Sequence, residues 1–423
     1  MKKSKFSKYR LLVCLPLLLS MVAEAADNIT NYTLEQVVVF SRHGLRAPLS
    51  TPSSSLGKMT PNLWPQWDTQ PSYLTTRGGV LEVYFGHYIN EWLVANQLLT
   101  AEHCPAAGDI YIYANSLQRT IATGQYFSVG AFPGCNVPVV HKEKMGTMDA
   151  VFFPVIRDGS DAFKQRAIAS INATADKVNG IDGLNAKLKP AYDDMQKVIN
   201  YAKSANCQQN QQCDFASQPT EFNIVAGQEP GITGAIRTGT SIADAFILQY
   251  YEGSPLNEIA WGGIKNNAQF ERLVSIKENY NTVVFAAPVV AKEVAANLIG
   301  YIDNTLINHH DKAKFTFLVG HDSNVASMFS ALKIKPYVLP NQFETTPIGG
   351  KVFFERWKDN TTGQQFVKIE YKYQSTDQIR NLEQLSQTNP PQNVVLEMAD
   401  CPIDKHGFCP FATFKTAMAD SLK

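Results

Sequence analysis

Short runs of consecutive apolar residues alternate with helical repeats at both ends of the chain, and the middle reads differently. Val37, Val38, Val39 and Phe40 form one such run. A strand that is apolar on both faces reads this way when helices cover both sides of its sheet. The run ends in Ser41-Arg42-His43-Gly44-Leu45-Arg46-Ala47-Pro48. Residues 50–72 follow, rich in Pro, Ser and Thr, with Trp64 and Trp67 among them, and read as a surface loop. Residues 74–79 then cap a helix, with Val80, Tyr84, His87 or Tyr88, and Trp92 recurring on one predicted face. His87 reads as a surface or packing residue of that helix. Residues 109–114 alternate as a second strand, and a helix is predicted over 120–129.

From about residue 150 the pattern turns helical. Tyr192, Met195 and Ile199 mark one face of a helix predicted to begin after Pro190, and further helices are expected over 240–252 and 268–278. The α/β pattern then returns. Val290, Val294, Leu298, Tyr301 and Ile302 share a helix face, and 315–319 is a buried strand. That strand ends in Gly320-His321-Asp322-Ser323-Asn324, with a helix predicted from about Val325. Residues 349–357 and 365–373 alternate as an antiparallel pair around a turn at 360–363. The expected fold is α/β: a doubly wound, mainly parallel sheet with helices on both faces, built from 26–150 and 281–423. Residues 151–280 would be a mostly helical inserted domain over its pocket.

The first 25 residues change the picture by standing apart from it. Five basic residues precede the apolar stretch 11–22, and Ala23-Glu24-Ala25 fits a cleavage site, so this is read as a signal peptide. The stretch falls short of the ~20 apolar residues of a membrane span. The whole chain carries 38 basic and 38 acidic residues; removing the leader takes five of the former and one of the latter, leaving a formal charge of −4. That balance disfavours a general polyanion binder, so no nucleic-acid or membrane partner is expected. Six cysteines remain: Cys104, Cys135, Cys207, Cys213, Cys401 and Cys409. An even count in an exported chain argues for disulfides, and nearest-neighbour pairing is preferred because each bond closes a modest loop. No Cys or His spacing of the zinc type is present, so no metal is expected.

The chemistry sits at two strand ends. Open α/β sheets bind ligands outside the carboxyl ends of their strands. Arg42 and Arg46 set two forks of N–H donors around His43, which suits a phosphate oxyanion and a nitrogen nucleophile. His321-Asp322 offers a second histidine and a carboxyl group at another strand end. Arg119 falls at the start of a predicted helix, where anions are favoured, and is a plausible third phosphate ligand.

In order along the chain, R-H-G-x-R-x-P at 42–48, L-T-x-x-G at 74–78, Arg119 and the H-D dipeptide at 321–322 resemble the histidine acid phosphatases. Segments such as TPNLWPQW, YANSLQRT and QEPG resemble the glucose-1-phosphatases among them. The resemblance implies a phosphoglycerate-mutase-like fold and hydrolysis of a small phosphate ester, glucose 1-phosphate, at acidic pH without a cofactor. It implies His43 as nucleophile, with Arg42, Arg46, Arg119 and His321 on the phosphate. Asp322 would be the proton donor, and Glu229, from QEPG, a sugar-facing carboxylate. Gly44 stands where that subfamily tends to carry Asn, and Leu49 where phytases often carry Thr. The alternatives are a phytase or broad acid phosphatase, and a non-hydrolytic periplasmic sugar-phosphate receptor.

Overall fold

A computed structural model describes residues 31–308 and 313–423; the leader at 1–25 lies outside them. In chain order the elements are strand β1 (Tyr32–Arg42), helix α1 (Thr76–Ala95), β2 (Ile110–Ala114), α2 (Gln118–Ala131) and β3 (Val139–Val140). A helical stretch follows: α3 (Asp161–Ala175), α4 (Gly180–Val198), α5 (Ala205–Asn210), a small pair β4 (Phe222–Asn223) and β5 (Gly231–Ile232), then α6 (Ala235–Tyr251), α7 (Asn267–Phe285) and α8 (Pro288–Leu306). The chain then returns to the sheet with β6 (Phe315–Gly320), α9 (Asp322–Ala331), β7 (Lys351–Asp359), β8 (Gln365–Tyr373), α10 (Thr376–Arg380), β9 (Gln392–Leu396), β10 (Cys409–Pro410) and α11 (Phe411–Ser421).

The main sheet runs β10-β8-β7-β1-β6-β2-β3, with β9 on β8. From β1 through β6 and β2 to β3 the pairings are parallel; on the other side of β1 they are antiparallel. The central strands are apolar on both faces because both are covered. Val37 and Val39 share a core with Phe85, Ile89 and Phe127 of α1 and α2. Val38 and Phe40 share one with Leu298, Ile302, Val325 and Phe414 of α8, α9 and α11. A third core joins α3, α4, α6 and α7, and Leu45 and Ile348 from the sheet side belong to it. The loop after β1 is thus wedged between sheet and helices. Three disulfides, Cys104–Cys135, Cys207–Cys213 and Cys401–Cys409, tie nearest neighbours in sequence. Among the described residues no single helix is long and apolar enough to cross a membrane.

Three local expectations need correction. The inward face of α1 is Leu81, Phe85, Tyr88, Ile89 and Leu93, so the stripe from Val80 through Tyr84 to Trp92 lies beside it, half-buried, and His87 pairs with Glu91 outside. Pro190 does not start a helix; it sits exposed inside α4, whose Leu184, Leu188, Tyr192 and Met195 are buried on the opposite side. That packing outweighs one lost backbone hydrogen bond. Helix α9 begins at Asp322 rather than near Val325, because Asn324 caps it by accepting from the His321 N–H at 3.0 Å.

The entry to α1 fixes the loop after β1. Thr75 Oγ1 accepts from the Gly78 N–H at 3.0 Å, and the Thr75 N–H donates to the Leu45 carbonyl at 3.0 Å. A Cβ on Gly78 would stand 2.2 Å from that same carbonyl oxygen. Gly78→Ala is therefore expected to lower stability by about 1–3 kcal/mol. By contrast, Gly300 within α8 has open space around it, and Gly300→Ala is expected to add about 0.5–1 kcal/mol. Urea midpoints of the two variants check both signs.

Candidate active site

Strands β1 and β6 are parallel neighbours, with Arg42 opposite Gly320. Two segments distant in sequence therefore leave the sheet side by side. The His43 N–H donates to the Gly320 carbonyl at 3.0 Å, and the His43 and His321 rings lie 5.6 Å apart. Both rings are buried.

His43 Nδ1 is 2.9 Å from the Gly44 carbonyl oxygen. A carbonyl can only accept, so Nδ1 carries the proton and Nε2 keeps its lone pair. Burial, then Arg119, Arg42, His321 and Arg46, hold this imidazole well below its ordinary pKa. It stays neutral in acid. The neighbouring Gly44 N–H donates to Thr123 Oγ1 at 2.9 Å, which anchors the loop to α2.

The arginines are placed by different elements. Arg42, the last residue of β1, is buried; its Nη1 donates to Glu344 Oε1 at 3.0 Å and to the Thr346 carbonyl at 2.5 Å. Its Nη2 lies 3.4 Å from Asp322 Oδ2. Arg46 pairs with Asp244 of α6 at 2.7 Å. Arg119, in the first turn of α2, donates to Ser72 Oγ at 3.0 Å. Burial and the like charge of Arg46 push Arg119 down to about 9. Among the described residues the Nε atoms of Arg42 and Arg119 are buried without an acceptor. Buried guanidinium N–H groups left unpaired are costly unless an anion answers them.

Asp322 opens α9, where the helix dipole favours a carboxylate. Burial pushes its carboxyl group up, but Arg42 and Lys277 outweigh that and hold it far below the usual carboxylate range. His321 Nε2 is 2.6 Å from Asn115 Nδ2. The Asn115 oxygen already accepts the Ser116 and Asp149 N–H groups, so the amide donates to the ring and Nε2 accepts. Burial and Arg119 keep His321 well below its ordinary pKa as well. Glu229 lines an open cleft of about 580 Å³ together with Arg46, Arg237, Lys277 and Asp322. Solvent reaches it, yet the enclosing walls and the charge of Asp322 raise its pKa, against Arg237 and Arg119.

Of the seven sequence-derived site residues, Arg46, Glu229 and Asp322 line this cleft, and Arg42, His43, Arg119 and His321 stand near enough for their charges to act on one another and on these three. Four further residues were not foreseen: Asn115, Asp244, Lys277 and Glu344. Lys277 had a visible signal, a charge on the apolar stripe Phe270, Leu273, Val274 and Tyr280 of α7. Among the described residues, no three His, Cys, Asp or Glu side chains are grouped to hold a metal ion.

Known proteins carry the same plan. A model of the histidine phosphatase superfamily (branch 2) matches residues 33–372. A glucose-1-phosphatase of Salmonella typhimurium is 46% identical over 407 residues, 96% of this chain and 97% of the relative. One of Providencia rettgeri is 44% identical over 402 residues, 94% of each. The solved structure of Hafnia alvei phytase in its apo form superposes with a TM-score of 0.83 at 29% identity, covering 93% of this chain and 98% of that one.

The unpaired guanidinium donors make a direct prediction. Inorganic phosphate at a hundredfold over its Kd is expected to stabilise the protein by about 2.7 kcal/mol. A thermal melt reads this as a rise in Tm. Arg119→Met should remove most of the rise while leaving the phosphate-free Tm unchanged or higher, since burial and Arg46 disfavour that charge.

Proposed function

The chain belongs to the histidine phosphatase superfamily (branch 2), and from that premise we propose that it is an exported phosphomonoesterase that hydrolyses glucose 1-phosphate through a phosphohistidine. The observation that carries the reading is a buried His43 whose proton is held on Nδ1, leaving Nε2 its lone pair, close enough to Arg119, Arg42 and Arg46 for their charges to keep it neutral. A receptor would need the arginines but not the lone pair.

In this reading Arg42, Arg46 and Arg119 take the phosphate oxygens, and His321 adds a contact on the same side. Their charge is fixed before substrate arrives, so little reorganisation accompanies the reaction. His43 Nε2 attacks phosphorus, the ester P–O bond breaks, and Asp322 gives its proton to the leaving sugar oxygen. Water then attacks the phosphohistidine, and Asp322 takes the proton from that water. The P–N bond breaks, the proton on Asp322 leaves with the phosphate as its monoanion, and His43 is neutral and Asp322 ionised again.

The proton on Asp322 must be accounted for, because its carboxyl group is held ionised in the free site. A phosphate monoester loses its second proton near about pH 6. Below that pH the monoanion brings a proton with it. Once the phosphate draws on Arg42, Asp322 loses part of the field that held its proton off. The proton can then pass to Asp322 within the complex. Activity is therefore expected to be highest in acid and to fall as pH rises through about 6, whereas protonation of His43 limits it only far below its ordinary pKa.

Glu229 is the proposed selector. A carboxylate across the cleft accepts hydrogen bonds from sugar hydroxyls and repels further phosphates. The neutral groups beside it, Asn223, Ser241 and Asn281, suit an uncharged polyol. The leader at 1–25 and the three disulfides support a periplasmic address.

Rates on glucose 1-phosphate and inositol hexakisphosphate, with chelator present, test this. The wild type should prefer glucose 1-phosphate, and Asp322→Asn should lower kcat by roughly 10²–10⁴-fold. Glu229→Ala should shift the ratio toward the larger anion by about tenfold or more. A wild type that prefers inositol hexakisphosphate would make the protein a phytase instead.

A further inference from the structure

Lys277 is almost wholly buried, yet its ammonium group meets three carboxylates. Its Nζ lies 2.7 Å from Glu344 Oε1, 3.7 Å from Asp322 Oδ2 and 3.8 Å from Asp244 Oδ1. These same three carboxylates hold the arginines of the loop. Glu344 and Asp322 meet Arg42, and Asp244 meets Arg46. Each carboxylate is thus shared between one arginine and Lys277. The lysine comes from α7 in the helical layer and Asp244 from α6, whereas Arg42 comes from β1.

A phosphate ester in the cleft competes for Arg42 and Arg46. As each guanidinium turns to phosphate oxygens, it loosens its hold on a carboxylate. Lys277 is then the shared cation left within reach of Asp244, Asp322 and Glu344. Without it, Asp244 would grip Arg46 more tightly and Asp322 would take a proton more readily. We propose that Lys277 is a positioning residue for phosphoryl transfer: it holds Asp322 and Asp244 in place while Arg42 and Arg46 engage the phosphate, and so governs when Asp322 is protonated. This role rests on the hydrolase reading above.

The surrounding charges support it. Asp322 is faced by Arg42 and His43 from β1 and its loop, Lys277 from α7, Arg119 from α2, His321 at its own helix cap and Glu229 from the cleft. Lys277 is faced by Glu344, Arg42, Asp322 and Asp244, with Glu278 next to it on α7. Burial disfavours the ammonium, but Glu344, Asp322 and Asp244 together outweigh burial and Arg42 and keep it charged.

The test is the pH dependence of kcat and KM for glucose 1-phosphate in Lys277→Met, Lys277→Arg and the double variant Lys277→Met/Glu344→Gln. The methionine variant strands a buried carboxylate and is the one at risk of misfolding. The double variant removes that stranded charge. In the folded methionine variants the alkaline limb of kcat should move up by about one pH unit or more, as Asp322 loses a neighbouring cation. KM should rise by about tenfold, as Asp244 competes for Arg46. Lys277→Arg should restore the wild-type limb. A purely structural lysine would lower Tm and leave the pH profile alone. Either methionine variant, folded and showing the wild-type limb and KM beside an active wild type, overturns the role of Lys277. An inactive wild type in the same assay would instead remove the hydrolase reading.

Discussion

The rest of the site depends on keeping a full positive charge in the protein interior at Arg42. A buried guanidinium is tolerable only when its donors are paired. Here Glu344, the Thr346 carbonyl and Asp322 share that task, and Lys277 steadies two of those partners. Removing one member of such a buried cluster leaves an uncompensated charge, typically at a cost of about 3–5 kcal/mol. Burial and Arg119 do most to depress both histidines, with Arg42 adding to them, and Arg42 is the largest of the charges that hold Asp322 ionised. The buried arginines therefore set the protonation states of His43 and Asp322 together.

The fold meets that constraint by joining pieces that are remote in sequence. The parallel register of β1 and β6 sets His43 against Gly320, and the dipole of α9 meets Asp322 at its first residue. Leu45 packs into the core of the helical layer, while Arg42 and Arg46 on either side of it meet carboxylates from the other elements. The loop is thus held from both sides. That suits a reaction in which position and charge, more than covalent reshaping, lower the barrier.

Much of this was legible along the chain, for identifiable reasons. The run Val37–Phe40 is apolar on both faces because two helix layers cover it, and that pattern needs no coordinates. Arg42, His43 and Arg46 lie within one loop, so their convergence is local. The antiparallel pair β7 and β8 announces itself through alternation and a turn. What stayed hidden was non-local or offset by a residue or two. Asp244 reads as an ordinary surface charge of α6, and Lys277, though out of place on the apolar stripe of α7, shows no partner until both helices are laid over the ends of β1 and β6. Glu344 lies in a loop with no periodicity. Asn115 lies between a predicted strand and a predicted helix with no pattern of its own to mark it, although its amide sets the orientation of His321. The register of α1 was missed because Gly78, Gly79 and Gly86 blur its apolar stripe, and the true face, led by Leu81 and Phe85, runs beside the predicted one.

The central claim is that His43 Nε2 forms a bond to phosphorus during turnover. Rapid quenching of the Asp322→Asn protein with a radiolabelled phosphate ester of a good leaving group, such as p-nitrophenol, tests it most directly: that ester needs no acid to form the intermediate, whereas hydrolysis still lacks its base, so the intermediate should build up. The account predicts near-stoichiometric label that is acid-labile, stable in base and located on His43. Turnover without covalent label, or label on another residue, would contradict it.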